Sequence, residues 1–244
     1  MSLGKHFSEG CFMNNEQIQH LPIFQNLDHS ILTKLADHSS LKHYKKYHSF
    51  FIHGDSIEYF YIILSGWVKL FRNTLDGQEV LLGLARDGDI IGEVNFDKEK
   101  HLFSAQTISE ADLLVVPYNI LKDIIENNAG LALKIITALN STINHLELQF
   151  EHINTMNAAQ RVGCFILKLC DSKHPNNVEL ALPYDKMLIA SYLGMKRETF
   201  SRALSDLKSI GITVHDNMLL IEDLNKLINF SCISCSLVYD ACKD

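Results

Sequence analysis

Apolar and polar positions follow three different rhythms along the chain. From Phe50 to Pro117, short runs rich in Ile, Val, Leu, Phe and Tyr are cut by His53-Gly54-Asp55, Ser65-Gly66, Asp76-Gly77 and Asp87-Gly88-Asp89. Turn signals at roughly 8–12-residue spacing predict a small antiparallel roll or barrel. Glycine suits such turns because it reaches positive φ at no steric cost. From residue 129 the period changes. Ala129, Ala132, Ile136, Leu139, Ile143, Leu146, Phe150 and Ile153 step by three and four alternately. This is a heptad seam with no proline, and its other faces are polar through Asn140, Asn144, His145, Glu147 and Glu151. Such a pattern predicts a long helix that pairs with a second copy of itself. The competing reading is a helix packed on its own domain.

After Asn157 a third texture begins. The segment "AQRVGCFILKLCDS" predicts a short amphipathic helix, and "VELAL" alternates like a strand. Two helices around Gly194 follow in "YDKMLIASYLGMKRETFSRALSDLKSIGI". The stretch "ITVHDNMLLIED" predicts a hairpin with His215-Asp216-Asn217 as its turn. Helix, helix-turn-helix and hairpin within so short a span describe a small winged domain. The expected organisation is an extension at 1–19, a β-roll at 20–128 and a dimerisation helix at 129–156. A winged helix-turn-helix at 157–225 and a tail at 226–244 complete it.

The two helices around Gly194 carry the chemistry. Ala190 lies four residues before Gly194, small enough for close helix approach, and Asp185 is placed to cap the first helix. In "MKRETFSRALSDL", Phe200, Ala203, Leu204 and Leu207 share one face. Arg197, Glu198, Ser201 and Arg202 share the opposite, outward face, with Lys196 and Thr199 beside them. Arg can donate two hydrogen bonds to guanine, Glu can accept from the cytosine amino group, and Ser suits a base edge or a phosphate. A Glu198–Arg202 surface pair is the plainer alternative.

Composition alters this picture in few places. The 244 residues carry a net charge of -7, which excludes a uniformly basic nucleic-acid coat but not a local basic patch. Across residues 186–211 the balance reverses, with Lys186, Lys196, Arg197, Arg202 and Lys208 against Glu198 and Asp206. No apolar run reaches the ~18–20 residues that span a bilayer. The start, "MSLGKHFSEG", lacks the apolar core of a secretion signal. Six cysteines in this length do not form a disulfide framework, so a reduced cytoplasmic setting is expected, with no membrane partner. No P-loop, nucleophile elbow or metalloprotease helix is present, and neither catalytic activity nor a metal site is expected.

The order of roll, long helix and winged domain resembles the CRP/FNR family of bacterial transcription regulators over roughly residues 20–225. "RETFSR" resembles that family's recognition-helix signature. Its Glu198, Ser201 and Arg202 match the FNR-like branch, which reads inverted repeats with TTGA-like half-sites, while Arg197 matches the CRP branch. "LSGWVKLFRNTLDGQEVLLGL" resembles the haem-associated, nitric-oxide-responsive regulators near the FNR branch. The resemblance implies an α+β fold with a cyclic-nucleotide-binding-like β-roll (a double-stranded β-helix), a homodimer, double-stranded DNA as partner and RNA polymerase as a candidate partner. The competing function is a ligand-binding signalling module whose helix-turn-helix serves packing or dimerisation.

In cyclic-nucleotide-binding members of that family, Gly-Glu and a later Arg-Ser/Thr-Ala form the phosphate cassette. Here Gly92-Glu93 is followed by "LFSA", so Phe103 stands where the resemblance puts Arg, with Ser104 and Ala105 retained. Leu146 and Glu147 take the places of the polar residues used against the purine. Without the Arg a buried phosphate charge goes unpaired, and cyclic AMP is not the expected effector. An iron–sulfur cluster of the FNR kind is not expected either, because only Cys11 precedes Cys164. Haem is a candidate cofactor, but His20, His29, His38, His43, His48, His53 and His101 follow no spacing rule that selects a ligand. Cys164 and Cys170 read as packing residues. In the tail, Cys232, Cys235 and Cys242 are incomplete as a zinc site, which leaves an apolar docking segment or a metal or redox role.

Overall fold

The computed structural model describes residues 14–92, 100–170, 176–182, 185–215 and 218–232. The chain divides into two compact units, residues 1–141 and 142–244. The first opens with helix α1 (Asn15–Gln19), whose capping box pairs Asn14 with Gln17, followed by α2 (His29–His38). Eight strands come next: β1 (Ser40–Tyr44), β2 (Ser49–Phe51), β3 (Tyr59–Ser65), β4 (Val68–Asn73), β5 (Glu79–Ala85), β6 (Ile90–Ile91), β7 (Ser104–Thr107) and β8 (Ala111–Pro117). They form two antiparallel four-stranded sheets, ordered β1-β8-β3-β6 and β2-β7-β4-β5.

Side-chain alternation divides the core in two. In β3, Tyr61 and Ile63 join a cluster with Phe51, Val68 and Ala105 of the second sheet, while Phe60 and Ile62 join a cluster with the helices. In β8, Leu113 and Val115 take the first side, and Leu114 and Val116 the second. The first sheet is thus buried on both faces, which is why "YFYIIL" and "DLLVV" read as unbroken apolar runs. The four turn glycines, Gly54, Gly66, Gly77 and Gly88, all hold φ between 84° and 94°, as their positions in the sequence predict. At Gly66 the need is also steric, since a Cβ there would stand 2.2 Å from the Glu110 carbonyl oxygen.

Two features of this unit extend past the sequence reading. Strand β1 precedes the expected start at Phe50; "SLKHY" is too polar to announce itself but pairs along its whole length with β8. The boundary expected at residue 19 cuts off α1, yet Ile18 is fully buried with Phe24 and Leu35.

Helix α3 (Tyr118–Asn127) leads into the long α4 (Ala129–Thr155). The second unit continues with α5 (Ala158–Leu169), β9 (Asn176–Ala181), α6 (Lys186–Tyr192), α7 (Arg197–Asp206), β10 (Ile212–His215), β11 (Met218–Asp223) and α8 (Leu224–Ser231). The expected hairpin is β10–β11, and β9 extends it into a three-stranded antiparallel sheet by pairing with β11. Two residues of its expected turn, Asp216 and Asn217, lie outside the described residues. Helix α8 crosses the boundary expected at 225. Leu224, Leu227 and Ser231 are buried, and a Cβ on Gly163 of α5 would stand 2.1 Å from the Ser231 Oγ. The sequence predicts α5 as a short amphipathic helix; in the structure residues 162–167 are all buried, and α8 supplies part of what covers them.

Candidate nucleic-acid interface

The local chemistry around Gly194 is as the spacing predicts. Asp185 caps α6, its Oδ1 accepting from the Met187 N–H at 2.9 Å. Gly194 takes φ +63° between the two helices, and Ala190 is buried beside the turn at 1% exposure. The Met195 N–H donates to the Ala190 carbonyl across the turn at 3.0 Å. Phe200, Ala203, Leu204 and Leu207 are all buried. Helix α7 is therefore fixed by one apolar face, and α5, whose Phe165 and Ile166 are buried, belongs to the same packed unit.

The opposite face of α7 is free to touch a partner. Lys196, Arg197, Glu198, Thr199, Ser201 and Arg202 are all exposed, and they cluster at the N-terminal end of the helix. Lys196 is the N-cap but makes no capping bond with its side chain. No ion pair joins Glu198 to Arg202 among the described residues. The arrangement can therefore offer Arg donors, a carboxylate acceptor and a hydroxyl to one surface. Positive charge combines there with the helix N-terminus, which itself favours anionic groups such as phosphate.

Helix α4 carries the predicted seam on an exposed face. Ile136, Leu139, Ile143, Leu146, Phe150 and Ile153 are each 50–71% exposed, and Leu133 joins them at 63%. Ala132, placed in the seam by its spacing, is half-buried. A different face meets the helix's own domains, through Leu131 and Ile135 in the first unit and Leu148, His152 and Met156 in the second. The reading of a helix packed on its own domain describes the inward face, and the residues of the heptad seam are the exposed ones.

In the β-roll, aromatic rings surround Phe103. Phe103 is half-buried against the inter-sheet core, 5.7 Å from Phe51 between ring centroids. His101 is buried and stacks on Phe51 at 3.5 Å and 7°. Ser104 is buried, its Oγ accepting from the His53 N–H, and Ala105 is fully buried. Gly92 holds φ +130° over Phe60, while Glu93 lies outside the described residues. Arg72 donates through Nε to the Leu102 carbonyl at 2.9 Å, next to Phe103.

Of the seven histidines considered for haem, several have defined settings besides His101: His43 Nδ1 bonds Asp112 at 2.8 Å, His38 Nδ1 lies 2.9 Å from the Lys34 carbonyl oxygen, His29 Nδ1 lies 3.5 Å from the Asn15 amide, and His48 lies against Tyr44. Cys164 and Cys170 are buried, in keeping with packing roles. Cys11, Cys235 and Cys242 lie outside the described residues, so the CxxC reading does too. No helix among the described residues is long and apolar enough to cross a membrane.

One constellation escaped the sequence reading. Arg161, Cys164, Phe165 and Lys168 on α5, Gln149, His152 and Ile153 on α4, and Tyr192 at the end of α6 with Leu193 after it line a cavity in the second unit. The spacing on α5 was legible as one helix face, but nothing in it told of the other two helices.

Comparison with known proteins agrees with this architecture. Residues 41–128 match the cyclic nucleotide-binding domain family, and residues 160–230 match the Crp-like helix-turn-helix domain family. The chain is 29% identical over 182 residues to the anaerobic regulatory protein of Haemophilus influenzae, covering 73% of this chain and 71% of that one. It is 25% identical over 210 residues to the CRP-like cAMP-activated global transcriptional regulator of Mycobacterium tuberculosis, covering 84% and 94%. In fold it is similar to FixK2 of Bradyrhizobium japonicum, with a TM-score of 0.69 at 23% identity over 79% of this chain and 96% of that one.

Proposed function

Because the chain belongs to the CRP/FNR family of transcription regulators, we propose that it acts as a homodimer on inverted-repeat DNA. Helix-turn-helix regulators of this family bind DNA and form dimers. The reading goes further in assigning the contacts. Glu198, Ser201 and Arg202 read base edges, Arg197 adds a base or phosphate contact, and Lys196 and Thr199 hold the backbone. The observation that carries it is the split face of α7, with Phe200, Ala203 and Leu204 locked inside and six polar side chains outside.

Dimerisation through the exposed α4 seam sets two such helices one DNA turn apart. The half-sites are TTGA-like, about 10 base pairs centre to centre. RNA polymerase and a cytoplasmic location follow from this role as part of the proposal. The β-roll is the effector domain. Its effector is not cyclic AMP, since Phe103 and its aromatic neighbours occupy the place where the resemblance puts the phosphate's Arg. Haem remains a candidate there.

The test is selection on random DNA with the full chain at fixed salt. An enriched inverted repeat with TTGA-like half-sites is the expected result. Enrichment of a single half-site, or of nothing, overturns the assignment of the dimer or of the code. A signalling module with an idle helix-turn-helix would enrich nothing.

A further inference from the structure

The cavity inside the second unit has an unusual lining for a protein with a net charge of -7. It offers about 50 Å³ of free volume, room for a small ion. Two permanent cations, Arg161 and Lys168, line it, and no Asp or Glu does among the described residues. Arg161 is the more telling. Its Nε is buried and has no hydrogen-bond partner among the described residues. A guanidinium N–H buried without an acceptor is costly, so an arrangement that keeps one calls for an acceptor. The Tyr192 hydroxyl stands nearby, accepting from the Gln149 Nε2 at 2.6 Å and lying 3.4 Å from the His145 Nε2. The positive field of Lys168 is felt inside the cavity, where, after burial, it helps depress the basicity of His152.

We infer that this cavity is a binding site for a small oxyanion, a carboxylate or a phosphate, held by Arg161 and Lys168. A planar guanidinium suits both anions because its parallel N–H groups match two oxygens. Tyr192 and Leu193 come immediately before Gly194, and the Ile153 Cδ1 lies 3.7 Å from where a Gly194 Cβ would stand. An anion held in this cavity therefore lies against the residues that lead into the turn before α7. If α7 reads DNA, the site tunes that reading from within the DNA-binding unit, separately from the β-roll.

The experiment uses the full chain, ¹⁵N-labelled, titrated with sodium phosphate and separately with sodium acetate at ionic strength matched by sodium chloride. Saturable shifts of the Leu193, Gly194 and Cys164 amides in at least one titration are expected; which salt saturates tells phosphoryl from carboxylate. Arg161→Gln and Lys168→Gln should each weaken binding about tenfold or more, the worth of one charge-assisted hydrogen bond. Lys168→Gln changes a partly exposed residue and serves if Arg161→Gln misfolds. Shifts that are linear in salt for both anions, or unchanged by the variants, overturn the site. So does a loss of dimer in Arg161→Gln without any anion response, which would make the guanidinium a contact to the second copy. Saturable binding in a chain that selects no DNA supports the site and overturns the regulatory reading alone.

Discussion

At the scale of single residues, identity matters most where a side chain is exposed without an intramolecular partner. Among the described residues Arg202 is such a residue, and Arg202→Ala is expected to cost about 1–3 kcal/mol of binding per half-site and to relax preference at one base position. Lys196→Ala or Lys208→Ala should instead weaken all sequences alike and flatten the salt dependence. Binding of each variant to consensus and single-base-changed operators separates the two behaviours; equal losses on every operator would make Arg202 a backbone contact. His152 gives a different kind of residue-level effect. Burial, helped by Lys168, lowers its pKa below the ordinary value of 6.5, against the smaller opposite pull of Glu151. Above that value His152 is neutral whether folded or unfolded. As pH falls through it, the unfolded chain takes a proton that the folded site refuses, so stability declines until the folded pKa is passed. Thermal unfolding between about pH 7.5 and 5.5 should fall less steeply for His152→Gln than for the native chain.

Elements are decided by which faces they bury. Helix α4 buries Leu131, Ile135 and Leu148 at home and leaves Ile136, Leu139, Ile143, Leu146, Phe150 and Ile153 outside. A run of exposed large side chains at heptad spacing costs free energy until a second helix covers it. Leu139→Asp with Leu146→Asp places two charges in that seam, and light scattering should then report a monomer. A dimer that survives would move the interface elsewhere. Helix α8 is held differently, by a glycine. Gly163→Ala drives a methyl group into Ser231 and towards Leu227, 3.0 Å away, and overpacking of this kind costs about 1–3 kcal/mol in a denaturant titration.

On the scale of the whole molecule, the two units match different domain families. The β-roll keeps the double-sheet architecture of the cyclic nucleotide-binding domain family, with Phe51, His101 and Phe103 in ring contact where the resemblance puts the phosphate's Arg. Calorimetry with cyclic AMP is therefore expected to detect no binding as tight as micromolar, which would be about -8 kcal/mol. A micromolar constant would mean that another cation serves the phosphate, and Arg72, which donates to the carbonyl beside Phe103, would be the first to replace.

The sequence alone carried everything that depends on local periodicity. Turn glycines, the heptad run, the Asp185 cap and the split face of "RETFSRALSDL" are short-range patterns, and each appears in the structure where its spacing put it. Tertiary structure decided what long-range pairing supplies. Strand β1 exists because β8 completes it, and α1 and α8 belong to their domains because Ile18 and Ser231 meet surfaces far along the chain. It also decided that α4 has both an inward and an outward apolar face, where the sequence offered these as alternatives. The cavity around Arg161 was illegible for the same reason: its three walls lie on three helices, and no period along one chain records where three helices converge.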